Sequence, residues 1–314
     1  MSRSQAAAAR RSLWKDARRH RFLFLLLLPG TLYLILNNYL PMFGLIIAFK
    51  NVNFTDGILR SPWSGFDNFK FLFSTTDAWV ITRNTVLYNL LFIAVGLVLS
   101  IAFAVLLNEV RNRVFRSFFQ SAMFFPYFLS FVIVGYLVFA LLSIEHGFVN
   151  NHILAPLGME PIDWYNDPKY WPYILTITNL WKNIGYGTVI YLAAIIGVES
   201  SYYEAALIDG ASKWRQFGSI TLPSIMPVVV VLTLLNIGRI FYADFGLFYN
   251  VPLHTGLLYP TTLVIDTYVY DIMVTRNDIG MSTAVGLYQA AVGFVLVFLS
   301  NWFVRRVNKE NALF

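Results

Sequence analysis

The stretch EAALIDGASKWRQFGSITLP, Glu204 to Pro223, interrupts a chain that otherwise consists largely of long apolar runs. Its alanines favour helix, Asp209-Gly210 is a turn signal, and Leu222-Pro223 puts a proline in the first turn of the next apolar run, where its missing N–H costs little. Glu199 to Ile208 therefore predicts one short helix and Ala211 to Ser219 a second, with Gly210 supplying the permissive angle between them. Small residues at Ala205, Ala206 and Ala211 let another surface approach closely. The pair reads as a helical hairpin lying outside the bilayer and docking on something; a turn resting on lipid headgroups is the plainer alternative.

Outward from this hairpin, six runs are long enough to cross a hydrocarbon core of about 30 Å: Phe22–Phe49, Thr85–Leu107, Phe118–Leu142, Trp171–Gly197, Pro223–Phe245 and Met281–Phe303. Composition agrees, since 57% of the 314 residues are hydrophobic, 13% are charged and the mean hydropathy is +0.60. The expected fold is all-α and polytopic. The first run is overlong and carries Pro29 and Pro41, which predicts a kinked helix with an irregular outer end at NNYLPMFG. RRSLWKDARRHR followed by FLFLLLLPG imitates a cleaved signal peptide, but the apolar character continues too far for one. Three organisational parts follow: a basic segment 1–21, a spanning domain 22–304 containing the loop 199–221, and a tail 305–314.

Charge sets the expected orientation. With a cytoplasmic N-terminus, fifteen Lys and Arg fall in inside segments (3–21, 111–116, 213–215 and 305–309) and six outside, while ten of the acids lie outside and six inside. Both termini and the hairpin are thus expected on the cytoplasmic side of a bacterial inner membrane. The net charge of +6 is accounted for by topology, and no basic patch on a soluble face points to nucleic acid. Cysteine is absent and the four histidines show no ligand spacing, so neither disulfides nor a metal site is expected. No catalytic constellation and no G-x-x-x-x-G-K phosphate loop is present, so this chain is not expected to be an enzyme or to hydrolyse ATP itself.

The hairpin carries a fixed pattern: Glu204-Ala205-Ala206, three residues, Gly210, nine residues, Ile220, one residue, Leu222-Pro223, with Asp209, Ala211, Phe217 and Pro227 in place. This resembles the signature loop of transmembrane permease subunits of bacterial ABC importers. The similarity continues through LLNEVRNRVFRSFFQSAMFFPYFLS (106–130), VIYLAAIIGVESSYYEAALIDGA (189–211) and STAVGLYQAAVGFVLV (282–297), and it looks most like the carbohydrate-uptake branch, among permeases for pectin- or alginate-derived oligosaccharides. The resemblance implies a type I importer fold, with Glu204, Ala205, Ala206, Asp209, Gly210 and Ala211 forming a coupling helix in a groove of a cytoplasmic ATPase. It also implies partners: a second permease subunit, a dimer of ATP-binding subunits that hold ATP and Mg, and an extracytoplasmic solute-binding protein. The chain itself would need no cofactor.

A sugar path needs polar groups that lipid would reject. TNLWKNIGYG offers Asn179, Lys182, Asn183 and Tyr186; NIGRIFYADFG offers Asn236, Arg239 and Tyr242, with Asp244 beyond. Counted as continuous helix from Trp171 and Tyr249, Lys182 and Arg239 share a depth of about 15 Å, which suits an anionic, uronate-containing sugar. The structural alternatives are that Arg239 pairs with Asp244 or an acid of the partner, and that Lys182 reaches toward the outer surface. Ser282, Thr283, Tyr288 and Gln289 are further pore-lining candidates. The competing functions are a permease for neutral oligosaccharides and a stand-alone secondary transporter, which would call for inverted repeats and discontinuous helices that the sequence does not reveal.

Overall fold

A computed structural model describes residues 19–53, 55–70 and 74–307; most of the basic leader and most of the tail lie outside the described residues. Among the described residues the only β feature is an isolated bridge between Lys50 and Trp63. The chain folds as helices α1 (Arg21–Phe49), α2 (Thr76–Glu109), α3 (Arg113–Phe128), α4 (Phe131–Leu142), α5 (Trp171–Ile196), α6 (Ser200–Ile208), α7 (Lys213–Gly238), α8 (Phe245–Asn250), α9 (Ile265–Thr275) and α10 (Ile279–Val307).

Four helices, α1, α2, α7 and α10, are long and apolar enough to cross a membrane unaided. Two bent pairs, α3 with α4 and α5 with α6, raise the total among the described residues to as many as six when each pair is counted as one span. The first, second, fourth and sixth expected spans are all present with extended or slightly shifted ends. Helix α1 becomes a π turn at Ile35–Tyr39, just before Pro41, and a 3-10 turn at Phe43–Phe49, so its outer end is irregular as its sequence suggests. From Phe22 to Phe43 its large side chains are exposed, and it meets the bundle only near Ala48.

Three expectations change. The run 118–142 is not one helix: α3 and α4 meet at 100°, because Pro126 ends α3 in a 3-10 turn, Leu129 is extended and Ser130 starts α4 by accepting a hydrogen bond from the Ile133 N–H. The fifth span begins ten residues before Pro223, at Lys213. A π turn at Phe217–Thr221 carries the helix past the proline, so the second hairpin helix and the span are one rod of 26 residues. That rod stops at Gly238, not Phe245; Asp244 then caps α8 through the Leu247 N–H.

The core runs along α2, which packs lengthwise on α5. At the hairpin end, Ala104 and Leu107 of α2 meet Tyr191, Leu192 and Ile195 of α5 and Ile225 of α7. At the opposite end, Trp171 and Leu175 of α5 bury against Tyr88, Val134, Leu247 and Phe248. A third cluster joins Ile81, Phe241, Ile265, Ile272 and Val285. Between helices in a bilayer, close van der Waals packing and interhelical hydrogen bonds, rather than escape from water, hold the elements together, so these tightly packed seams, and not the exposed α1, set the arrangement of the bundle. Among the described residues, every buried side-chain nitrogen and oxygen has a partner.

Candidate functional site

The hairpin is closed by its own backbone. Helix α6 leaves α5 at 71°. It ends with the Gly210 N–H on Leu207 O (3.1 Å) and the Ala211 N–H on Ala206 O (2.8 Å), while Gly210 sits at φ +72°. This paired arrangement with a left-handed glycine satisfies carbonyls that a helix end otherwise leaves bare. Ser212 then caps α7 by accepting from the Arg215 N–H, and the buried Gln216 amide donates to Ala211 O at 2.9 Å.

One bond closes the hairpin and one ties it to the bundle: Tyr203 and Thr221 share a hydroxyl bond of 3.0 Å between α6 and α7, and Lys213 pairs with Glu109 at the end of α2 at 3.0 Å. Arg116 of α3 caps that same end of α2 by donating to Leu107 O and Asn108 O. The Lys213–Glu109 pair is exposed, so the hairpin joins the bundle chiefly through its continuity with α7. Glu204, Ala205, Asp209 and Gly210 are exposed, and Ala206 and Ala211 are half-buried. Beside them Ile208 (87%), Trp214 (84%) and Leu207 (60%) stand in the open. Large apolar side chains on a short hairpin at the end of a bundle mark a surface covered by a partner or by the lipid headgroup layer.

The polar residues of α5 lie on one face. Asn183 donates to Asn179 (2.8 Å to Oδ1), and Tyr186 one turn on stacks on Tyr127 of α3 with centroids 5.0 Å apart and planes 12° off parallel. Phe124 joins the stack at 5.6 Å from Tyr127. Tyr127 and Tyr186 are both exposed. Three near-parallel rings beside two amides form a surface suited to pyranose faces and hydroxyls. Tyr127 and Phe124 were missed in the sequence because the bend that aims them lies within an apolar run.

Lys182 points elsewhere. Its ammonium is buried and donates to the carbonyls of Pro126 (3.3 Å), Tyr127 (2.8 Å) and Leu129, so it neither reaches the outer surface nor faces open space. Arg239 does not share its depth on a helix, because residues 239–243 are irregular and the count from Tyr249 fails. Arg239 and Asn236 are exposed, as is Tyr242. Among the described residues no ion pair involves Arg239, so the pairing with Asp244 does not form. No hydrogen bond or ring contact joins this group to Asn179, Asn183 and Tyr186.

The irregular segment is held by side chains from three elements. Asn89 of α2 donates to Ile240 O and Tyr242 O, Gln289 of α10 donates to Phe241 O, and Asp266 of α9 accepts from the Ala243 N–H at 2.7 Å. Burial pushes the Asp266 carboxyl up to about 6. Gln289 is thus a brace, 4% exposed, rather than a pore-lining group; Ser282 is also buried, and Thr283 bonds to Ile279 O on its own helix. Discontinuous helices are present after all, at 129–130 and 239–244, so their presence does not separate a secondary transporter from an importer.

A broken-helix bundle with several apolar spans, an apolar-tipped hairpin and a polar aromatic face is the architecture of a multi-pass membrane protein. Residues 96–309 match the family of binding-protein-dependent transport system inner membrane components, and the chain belongs to that family. It is 36% identical over 299 residues to protein LplB of Bacillus subtilis, covering 95% of this chain and 93% of that one. It is also 36% identical to the polygalacturonan/rhamnogalacturonan transport system permease protein YteP of the same organism, covering 98% of each. Among solved structures it superimposes, at TM-score 0.86 and 33% identity, on a chain of a bacterial ABC transporter involved in the import of the acidic polysaccharide alginate; 95% of this chain and 99% of that one are covered. The protein is a sugar permease of the ABC importer type, in the bacterial inner membrane.

Proposed function

We propose that this chain forms part of the translocation path for a uronate-containing oligosaccharide, such as a pectin or alginate fragment, and that hairpin 199–221 couples it to a cytoplasmic ATPase. The observation that carries the coupling reading is the exposed apolar tip, Leu207, Ile208 and Trp214, on a hairpin continuous with α7. Both termini and the hairpin then face the cytoplasm, as the basic bias requires. Glu204, Ala205, Ala206, Asp209, Gly210 and Ala211 seat in the motor protein, which holds ATP and Mg; a second permease subunit, a paralogue, completes the path, and an extracytoplasmic binding protein delivers the sugar. A relative solved with an alginate pentasaccharide-bound periplasmic protein supports that last partner.

In this reading closure of the ATPase dimer moves the hairpins together, and the bundle rocks between inward- and outward-facing states as a rigid body. Asn179, Asn183, Tyr186 and Tyr127 take sugar faces and hydroxyls, Asn236 and Tyr242 add polar contacts, and the guanidinium of Arg239 takes a carboxylate. The acidic substrate is supported by two relatives of nearly full coverage whose names carry acidic polymers, polygalacturonan and alginate. The test is ATP hydrolysis by the assembled complex in proteoliposomes, driven by binding protein loaded with acidic or neutral oligosaccharides. Stimulation by uronate oligomers above neutral ones is expected; stimulation by neutral sugars alone would replace the acidic substrate with a neutral one.

A further inference from the structure

We infer that Lys182 is a positioning residue: its ammonium stands in for the backbone donors missing where the third span breaks, and so holds the Phe124, Tyr127 and Tyr186 rings in register for the sugar. The inference rests on reading that face as the sugar path. Where α3 gives way to α4 the chain turns through 100°; the Pro126 carbonyl keeps one backbone donor, the Leu129 N–H at 3.1 Å, while the carbonyls of Tyr127 and Leu129 are met by the Lys182 ammonium in place of the N–H groups that a continuing helix would provide. Within a membrane such carbonyls cannot be left bare. An ammonium has three donors, and here it meets three carbonyls, so no N–H remains to meet a ligand. Its positive charge also sits where the negative end of the α3 dipole points.

The same ammonium lies 5.7 Å from the Tyr127 ring and 4.9 Å from the Phe131 ring, one on each side of the break. Among the described residues no carboxylate pairs with it. One turn along α5, Tyr186 stacks on Tyr127. A single buried lysine on α5 thus sets the angle of the α3–α4 break and, through it, the spacing of rings contributed by both helices. Recognition of a carboxylate by Lys182 itself is excluded by this geometry, which leaves that task to Arg239.

The test uses the assembled complex with its binding protein, and trigalacturonate and its methyl ester as acidic and neutralised probes of one size. For Lys182→Met the half-saturating concentration is expected to rise about tenfold or more for both probes by the same factor, with the maximal rate within about twofold. Adding Tyr127→Ala to Lys182→Met is expected to cost no more than the worse single change, as for residues acting through one another. Lys182→Gln keeps two donors and is expected to recover part of the loss. Because the chain has no cysteine, spin labels on Phe115→Cys and Phe139→Cys, in α3 and α4, report the break directly; the distance distribution is expected to broaden in Lys182→Met. A loss confined to the acidic probe, additive losses with Tyr127→Ala, or an unchanged distance distribution would each overturn the inference. A wild-type complex indifferent to both sugars would sink the sugar reading instead, and the spin-label distances would still judge the clamp.

Discussion

Replacement of Gly210 offers a graded test of the hairpin. Gly210 sits at φ +72°, and a Cβ built there meets nothing of this chain within 4 Å, so within the hairpin itself the penalty comes from the backbone alone. A residue with a Cβ in the left-handed region costs about 1–2 kcal/mol, and asparagine tolerates it best. Gly210→Ala should therefore lower the ratio of closed to open hairpin by about 5- to 30-fold, and Gly210→Asn by less. Gly210→Pro deletes the donor that bonds Leu207 O at 3.1 Å and forces φ to about −65°, so the closed turn is lost outright. The assay is ATP hydrolysis stimulated by sugar-loaded binding protein, normalised to complex present in the membrane. The expected order is glycine, asparagine, alanine, proline, with membrane insertion equal throughout. Coupling that ignores φ preference, above all a fully coupled Gly210→Pro, would refute the reasoning.

Arg239→Ala should reduce uptake of a uronate oligomer far more than of its methyl ester, by about 1.5–3 kcal/mol of lost charged hydrogen bonding, read from the half-saturating concentrations. At Gly185 an added Cβ would stand 2.1 Å from Met123 O and 2.5 Å from Met123 C, both backbone atoms. Gly185→Ala must therefore push α3 off α5, at a cost of about 1–3 kcal/mol or more, visible as a lower melting temperature of the purified chain. Asp266 binds its proton more tightly folded, at about 6, than unfolded, so it favours folding below the ordinary carboxylate range and loses that contribution as pH rises through about 6. Asp266→Asn should flatten the fall in melting temperature between pH 4 and 6 relative to wild type, at about those bounds.

What the sequence could disclose depended on how local the cause was. Asp209-Gly210 announced the hairpin turn because glycine at positive φ is a one-residue signal. The run-on of α7 through Pro223 was hidden, since the π turn that accommodates the proline has no residue code of its own. The break at Leu129 was masked by apolar residues on both sides; Pro126 and the capping Ser130 were its local traces, as Gly238 and Asp244 were for the end of α7. Lys182 lies about 16 Å along α5 from Trp171, as helical rise requires. The destination of its ammonium was not legible, because its acceptors are carbonyls more than fifty residues away in sequence and carry no side-chain identity. Asn89, Asp266 and Gln289 were equally opaque as braces, for the same reason.

The account's central claim is that the hairpin is a coupling element seated in a motor protein. The most direct measurement is photo-cross-linking in intact cells from a benzoylphenylalanine placed at Ile208, which is 87% exposed and forms the tip of α6. A cross-link to the ATP-binding subunit, from the cytoplasmic side, is the predicted result; a probe that reacts only with lipid, or with proteins outside the cytoplasm, would contradict it.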